Sequence, residues 1–208
     1  MKCMHGWTGA ILHIDLTDRT HLLEHPTPET YQTWIGCKGL VGQYLRPHVT
    51  RSWDIPEMPL IFMTGPLVGT ASPTSGRMCV MSRSPLTGTV GEASVGGSLG
   101  TELKKAGFDG IVITGRSDRL CGIEITDESV AIRDATCLSG METGPLYAQL
   151  RRKGAMAATS SAKRWGGTEG ISRSLRPCLS KLELTVLTTS IKRGSLKNRM
   201  NSLRQIIV

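Results

Sequence analysis

The segment LIFMTGPLVGT at residues 60–70 recurs in similar form as MCVMSRSPLTGT at residues 78–89. Each copy begins with a short apolar run of strand-forming residues and continues into a turn, in which proline and glycine occupy matching places. The two turns are offset by nineteen residues, counted from Gly65 to Ser84. Two copies are too few for a solenoid. The pattern therefore predicts a duplicated strand–turn unit inside one domain.

The sequence on either side of this repeat predicts more strands and a few short helices. Strands are predicted at residues 11–16 and 20–24, as a hairpin, and at residues 110–115, 122–126 and 130–133. Helices are predicted at residues 27–45, with interruptions at Gly36 and Gly39, and at residues 101–107 and 142–153. Because the helices do not alternate regularly with the strands, the pattern indicates a sheet-rich α+β fold and not a doubly wound sheet.

The amphipathic pattern of the first two helices predicts which side chains share a face. Tyr31, Trp34 and Ile35 are expected to lie on one face of the first helix. In the second helix, Leu103 and Ala106 are expected to point inward, and Lys104 and Lys105 outward. Thr27 or Thr30 is placed to cap the first helix, because a threonine hydroxyl can accept from a backbone N–H of the first turn.

The charge of the chain is concentrated in its last quarter. The 208 residues include 25 Lys+Arg and 17 Asp+Glu, a net charge of +8, whereas residues 1–154 contain fifteen of each sign. The excess therefore lies in residues 155–208. A basic tail can bind nucleic acid, but this one scatters its basic residues and contains one aromatic residue, Trp165. Such a pattern is more typical of a solvated surface, so nucleic-acid binding is the least favoured interpretation.

The cysteines and the hydropathy exclude several classes of protein. The six cysteines are all more than ten residues apart, which argues against a zinc finger or a local iron–sulfur site and favours reduced thiols. No segment approaches the roughly 18–20 apolar residues that span a bilayer, and the amino terminus lacks a signal-peptide pattern. A cytoplasmic protein without a membrane partner is expected.

The candidate binding residues lie in two glycine-rich segments, PTSGR at residues 73–77 and EASVGGSLG at residues 92–100. Glycine lets a planar or phosphorylated ligand approach backbone N–H groups, and a hydroxyl or an arginine can then bind its oxygens. The candidates are Gly76, Arg77, Ser94, Gly96 and Gly97. From the residues alone, tight β-turns with Arg77 in a surface ion pair are the alternative. Hydrolase and Walker motifs do not occur, so no catalytic residue and no metal ligand are assigned.

The order of the motifs resembles that of the aldehyde:ferredoxin oxidoreductases. The matching segments are GWTG (6–9), IDLT (14–17), IGCKGL (35–40), PLIFMTGPLVGT (59–70), PTSGR (73–77), SRSPLTG (82–88), GGSLGTELK (96–104), AGFDGI (106–111) and IRDA (132–135). The resemblance covers residues 6–153. It implies that residues 1–158 form the family's duplicated, sheet-rich amino-terminal domain, which cradles the cofactor.

The resemblance also implies a cofactor and a reaction. In the family, the dithiolenes of two pterins hold tungsten or molybdenum, and later domains supply a [4Fe–4S] cluster whose ligands are absent here. The complete enzyme oxidises aldehydes to carboxylic acids and reduces ferredoxin; a homodimer is one option. This chain alone is expected to be inactive. The alternative is a non-catalytic module that binds an anionic ligand through its glycine-rich turns.

For three of the candidate residues, the position within a matching motif implies a role in the family. Arg77 corresponds to an arginine that contacts a pterin phosphate, and Gly96 to a glycine whose backbone meets a pterin. Ser94 stands where the family commonly has asparagine, so it offers one hydroxyl in place of an amide. Cys37 replaces a glycine of the usual motif, although glycine tolerates backbone conformations that cysteine does not.

The resemblance ends near residue 158, where the charge also changes. We expect residues 159–208 to be an irregular basic tail that is translated out of frame or belongs to a decayed gene. Sequencing the gene beyond the codon of Gly154 and reading all three frames tests this hypothesis. We expect another frame to resume the family pattern with clustered cysteines. If none does, the tail is genuine and the binding-module interpretation moves to first place.

Overall fold

The computed structural model describes residues 6–126, 129–139, 141, 145–146, 148–149, 190–191 and 204–207. In chain order the strands and α-helices are β1 (Ile11–Asp15), β2 (Thr20–Glu24), α1 (Pro28–Trp34), α2 (Lys38–Leu45), β3 (Leu60–Thr64), β4 (Met78–Arg83), β5 (Val90–Val95), α3 (Leu99–Lys105), β6 (Gly110–Thr114), β7 (Cys121–Thr126), β8 (Val130–Asp134), β9 (Ser190–Ile191) and β10 (Arg204–Ile207). Short 3-10 turns follow α2 and β8, at Arg46–His48 and Thr136–Leu138.

The strands form two sheets. The larger has six strands in the order β2-β1-β6-β3-β4-β5, in which β1 and β6 are parallel and every other neighbouring pair is antiparallel. The smaller has the order β8-β7-β10-β9. Because successive side chains of a strand point to opposite faces, the six-stranded sheet can bury apolar residues on both sides. The fully buried run LIFMT of β3 is the consequence.

Each face of the six-stranded sheet contributes to its own hydrophobic core. One face carries Leu12, Phe62 and Val80, which pack with α3 and with Ile123 of β7. The other face carries Ile11, Ile61, Met63, Cys79 and Val112, which pack with Tyr31 of α1 and with Leu40, Val41 and Leu45 of α2. The sheet therefore lies between a helical layer and a layer formed by α3 and the second sheet, and the predicted sheet-rich α+β fold is confirmed.

Two details of the predicted elements are wrong. Residues 90–95 form strand β5, with Gly91, Ala93 and Val95 buried, so the strand overlaps the glycine-rich segment predicted at residues 92–100. Small residues on the buried side hide the strand pattern, because glycine and alanine have little strand preference. Helix α3 also begins at Leu99, two residues before the predicted start.

The predicted helix faces also need correction. Tyr31 is buried, but Trp34 is 37% and Ile35 59% exposed, because α1 ends at Trp34 and Ile35 has a positive φ of 61°. Lys104, expected in solvent, is 7% exposed, since its ammonium group has buried partners. The Thr27 cap is confirmed: its side chain accepts from the Thr30 N–H.

The turns of the two copies of the strand–turn repeat lie at opposite ends of the sheet. Strands β3 and β4 pair antiparallel, with Thr64 opposite Met78, so the turns that follow them point in opposite directions. The second turn closes the β4–β5 hairpin, where the Ser84 N–H donates to the Thr89 carbonyl oxygen at 2.7 Å. The two turns share a glycine of positive φ, 79° at Gly69 and 68° at Gly88, but they lie at different places in the fold.

The structure places two strands in the basic tail, where the sequence predicts an irregular segment. Strand β10 pairs antiparallel with β7, with Ile206 opposite Ile125, and β9 pairs with β10. The domain boundary at residue 158 stays a prediction. The helix predicted at residues 142–153 lies largely outside the described residues.

A buried carboxylate, that of Asp109, joins the amino-terminal segment to helices on both faces of the six-stranded sheet. It is 1% exposed and accepts from the backbone N–H groups of Thr8, at 3.1 Å, and Gly9, at 2.8 Å. The Tyr31 hydroxyl donates to it at 2.8 Å, and the Lys104 ammonium forms an ion pair with it. Burial and the neighbouring carboxylate raise the pKa of Tyr31, so its hydroxyl stays protonated and remains a donor.

We expect Asp109→Asn to lower the free energy of unfolding by about 3–5 kcal/mol, because the Lys104 ammonium would stay buried without a counter-charge. Urea denaturation of the full chain measures the loss. Asp18→Asn is the control: Asp18 is exposed, and surface changes of this kind stay within about 0.5 kcal/mol. Equal losses in the two variants would contradict a central role for Asp109.

Candidate functional site

The five candidate residues lie together at one end of the six-stranded sheet. Gly76 and Arg77 come immediately before β4, Ser94 lies near the end of β5, and Gly96 and Gly97 follow it. Because β4 and β5 are antiparallel, with Met78 opposite Val95, the start of one strand meets the end of the other. We call these five residues the Arg77 site.

The side chains of Arg77 and Ser94 lie next to each other at the exposed edge of the sheet. Arg77 Nη1 donates to Ser94 Oγ at 3.5 Å, and both residues are exposed. No ion pair involves Arg77 among the described residues, so the surface ion pair considered as an alternative is not found there. A guanidinium carries five N–H donors, and a single long hydrogen bond leaves most of them for an anionic ligand.

The three glycines of the site meet different requirements. A Cβ on Gly76 would lie 3.2 Å from the Gly97 carbonyl oxygen, so this position is tightly packed. Gly97 has a φ of +90°, which side-chain-bearing residues rarely adopt. Gly96 is exposed, and a Cβ there would meet nothing within 4 Å. Gly76 and Gly97 thus shape the backbone, and Gly96 leaves open space in which a ligand could approach it.

Close packing of α3 against β4 holds this turn in place. A Cβ on Gly100 would lie 3.3 Å from Val68 Cγ1 and 3.4 Å from Met78 Cβ. Gly100 therefore lets α3 approach the sheet closely, and the turn that leads into α3 lies beside the start of β4. The position of Gly96 and Gly97 follows from this contact.

Sequence reasoning missed the groups that border the Arg77 site on the side of α2. The ammonium of Lys38, the first residue of α2, forms an ion pair with Glu92 of β5 at 2.5 Å. Hydrogen bonding with Glu92 raises the pKa of Lys38. The motif IGCKGL showed that Lys38 follows Cys37, but no signal in the sequence could show that Lys38 faces β5, because the strand itself was not predicted.

Two cysteines lie on the same face of the sheet as Ser94. Cys79 of β4 is the cross-strand partner of Ser94, and Cys37 packs against the core cluster that contains Cys79. The Cys79 thiol donates to the Met63 carbonyl oxygen at 3.5 Å. The influence of Cys79 lowers the pKa of Cys37 to about 7, and Cys37 together with burial raises the pKa of Cys79. The sequence singled out Cys37 as a substitution for glycine but not its place beside the core cluster that contains Cys79.

The chemistry of the Arg77 site is that of anion binding. It combines a guanidinium, a hydroxyl and exposed glycine backbone, all of which can donate hydrogen bonds to an anion. Within the described residues, no group of three or more His, Cys, Asp and Glu side chains is arranged to hold a metal ion. In the same part of the chain, no helix has the length and apolar character needed to cross a membrane.

Comparison with known proteins gives a consistent set of relatives. Residues 11–164 match the family model described as aldehyde ferredoxin oxidoreductase, N-terminal domain; the match ends slightly beyond the limit of residue 158 expected from the motifs. A tungsten-containing aldehyde ferredoxin oxidoreductase from Pyrococcus abyssi is 43% identical over 139 residues, which are 66% of this chain and 23% of that protein.

Relatives of lower identity are named for substrates other than aldehydes. The aliphatic sulfonate oxidoreductase, WOR-like subunit, from Pyrococcus furiosus is 30% identical over 155 residues, 72% of this chain and 24% of that protein. A solved structure of the active-site complex BamBC of benzoyl coenzyme A reductase superposes with a TM-score of 0.80 at 26% identity, covering 88% of this chain and 30% of that one. The chain spans about a quarter of the length of the curated relatives it matches.

Proposed function

The chain belongs to the aldehyde ferredoxin oxidoreductase family, as its N-terminal domain, and we propose that the Arg77 site is part of the cradle for a tungsten– or molybdenum–pterin cofactor. The observation that carries the proposal is the placement of Arg77 and Ser94, 3.5 Å apart, beside exposed glycine backbone. The tungsten-containing relatives support this choice of cofactor. They also favour tungsten over molybdenum.

The residues of the site fit the anionic part of such a cofactor. Arg77 would bind a phosphate oxygen through a charge-assisted hydrogen bond, and the Ser94 hydroxyl would bind a neighbouring oxygen. The open space at Gly96 would let the planar pterin lie against backbone, and Gly97 would hold that backbone in its unusual conformation. When bound, the metal–pterin group supplies a two-electron redox centre. The contribution of this chain is binding and orientation.

For the whole protein we propose oxidation of an aldehyde and water to a carboxylic acid, with release of two electrons and two protons. Ferredoxin would accept the electrons through a [4Fe–4S] cluster. The names of the tungsten-containing relatives support this reaction. This chain alone would be inactive, because it matches only the N-terminal domain. We also propose a cytoplasmic location and a homodimer.

The names of the other relatives bear on substrate selection. Proteins named for an aliphatic sulfonate and for benzoyl coenzyme A share this domain or its fold. The Arg77 site faces an anionic group of a cofactor in our proposal, and not the substrate. We infer that substrate preference is determined outside the Arg77 site.

The second candidate function is a non-catalytic module that binds an anionic ligand without metal. The exposed guanidinium and the glycine backbone favour this function as much as they favour cofactor binding. Inorganic phosphate would make the same contacts as the phosphate of a pterin. The two candidates differ in what the purified chain retains: a pterin together with tungsten or molybdenum, or an anion alone.

We expect Arg77→Gln to reduce pterin retention about tenfold or more, because it removes a charge-assisted hydrogen bond of about 1.5–3 kcal/mol. The full chain and the variant are produced in a host that makes the metal–pterin cofactor. Bound pterin is then measured by fluorescence after oxidation, and tungsten and molybdenum by elemental mass spectrometry.

Arg116→Gln is the matched control, because Arg116 is exposed and follows β6, which runs in the same direction as β4. It therefore lies at the opposite end of the sheet from Arg77, and its loss should leave retention unchanged. Phosphate binding without pterin or metal would favour the binding module. Equal retention in Arg77→Gln and the wild type would remove Arg77 from the cradle.

A further inference from the structure

The ion pair between Lys38 and Glu92 lies beside the Arg77 site, on the same face of the six-stranded sheet. Successive side chains of a strand alternate between its two faces, so Glu92 and Ser94 of β5 share a face. Ser94 is opposite Cys79, whose side chain packs in the core beneath α2. Glu92 therefore lies on the α2 side of the sheet, roughly 7 Å from Ser94, the length of two residues of a strand.

The packing of α2 fixes the position from which the Lys38 side chain extends. Just before the helix, the Cys37 N–H donates to the Thr64 carbonyl oxygen at 2.9 Å. Near the other end, the Tyr44 hydroxyl donates to the Glu24 carboxylate at 2.9 Å. Glu24 belongs to β2, at the opposite edge of the sheet from β5. The helix is thus anchored at both ends, whereas the Lys38 side chain is 61% exposed and has room to change partners.

Charge links the Lys38–Glu92 pair to the Arg77 site. Arg77 contacts Ser94, and the Lys38 ammonium lies 2.5 Å from a Glu92 oxygen. An anion bound by Arg77 and Ser94 would have the Glu92 carboxylate as a neighbour, and like charges that are this close repel each other. Lys38 neutralises that carboxylate. The affinity of the Arg77 site for an anion therefore depends on the partner of the Lys38 ammonium.

We propose that Lys38 is a second cationic contact of the Arg77 site and that Glu92 competes with the bound anion for its ammonium. This role of Lys38 rests on the proposed function, in which Arg77 binds a phosphate. Without a ligand, the ammonium stays with Glu92. When a phosphate binds at Arg77 and Ser94, the ammonium turns from Glu92 to one of the remaining phosphate oxygens. Two cations together favour a doubly charged phosphate monoester over a singly charged diester.

The first test compares the affinity of the full chain for methyl phosphate before and after loss of the Lys38 charge. At about pH 7.5, methyl phosphate carries mostly two charges, since its second pKa is about 6. Lys38→Met should weaken binding about threefold or more, because a charged contact is lost and the Glu92 carboxylate is no longer neutralised. Lys38→Arg keeps the charge and should retain most of the affinity. The NMR shifts of the Gly96 and Gly97 amides measure the dissociation constants.

Removal of the competing carboxylate should have the opposite effect. Glu92→Gln frees the Lys38 ammonium and removes a like charge next to the bound phosphate. It should therefore tighten methyl phosphate binding by roughly two- to fivefold. If Glu92 only held Lys38 in place for the ligand, the same substitution would weaken binding. The direction of the change thus separates competition from support.

The number of charges on the ligand supplies a measurement that altered stability would not affect. Dimethyl phosphate carries a single negative charge, so the wild type should prefer methyl phosphate, and Lys38→Met should lose much of this preference. Lys105→Met is the matched control, because Lys105 is also ion-paired with a glutamate, Glu102, and is 44% exposed. Lys105 belongs to α3, on the other face of the sheet. At physiological salt, which screens distant charges, its loss should change neither affinity.

The proposal is overturned if Lys38→Met binds methyl phosphate as the wild type does, if Glu92→Gln weakens binding, or if Lys105→Met has the same effect as Lys38→Met. Arg77→Gln distinguishes this failure from failure of the proposed function. If Arg77→Gln loses binding and Lys38→Met does not, the Arg77 site stands without Lys38. If neither variant loses binding, both proposals fail. Urea denaturation of each variant checks that folded chains are being compared.

Discussion

The buried carboxylate of Asp109 is the constraint on which the arrangement of the elements depends. An ionised carboxylate can remain in an apolar interior only when hydrogen bonds and an opposite charge replace its water. Asp109 obtains these from the backbone before β1, from Tyr31 of α1 and from Lys104 of α3. Its backbone N–H also donates to Ala10, and its carbonyl oxygen accepts from Thr64. One residue thus joins the sheet to helices on both of its faces.

This network also positions the candidate cofactor site. Lys104 fixes the end of α3 beneath the amino-terminal segment, and close packing at Gly100 brings the start of α3 against β4. The turn at Gly96 and Gly97 is therefore held from α3, and Arg77 is held by the start of β4. Loops that carry binding groups are more precise when rigid elements support both of their ends. The buried network around Asp109 therefore supports the elements that carry the exposed Arg77 site.

Local sequence signals predicted the parts of the fold that local physics determines. The apolar runs of β3 and β6, the hairpin of β1 and β2 and the Thr27 cap were all evident, because their residues have strong local preferences. Strand β5 was missed, since Gly91 and Ala93 on its buried side carry no strand signal. The burial of Lys104 could not be predicted, because its partner Asp109 belongs to the segment beyond the helix. Motif order predicted that Arg77 and Ser94 belong to one site. Their contact depends on the register between β4 and β5, so only the structure shows it.

The central claim is that the sheet end at Arg77 receives an anionic, phosphate-bearing ligand. The most direct measurement follows the backbone amide and arginine side-chain NMR signals of the isotope-labelled full chain as inorganic phosphate is added. The account predicts saturable shifts for the amides of Gly96 and Gly97 and for the Arg77 guanidinium, with Arg116 unaffected. Shifts spread evenly over the basic residues, or confined to the tail after residue 158, would contradict it.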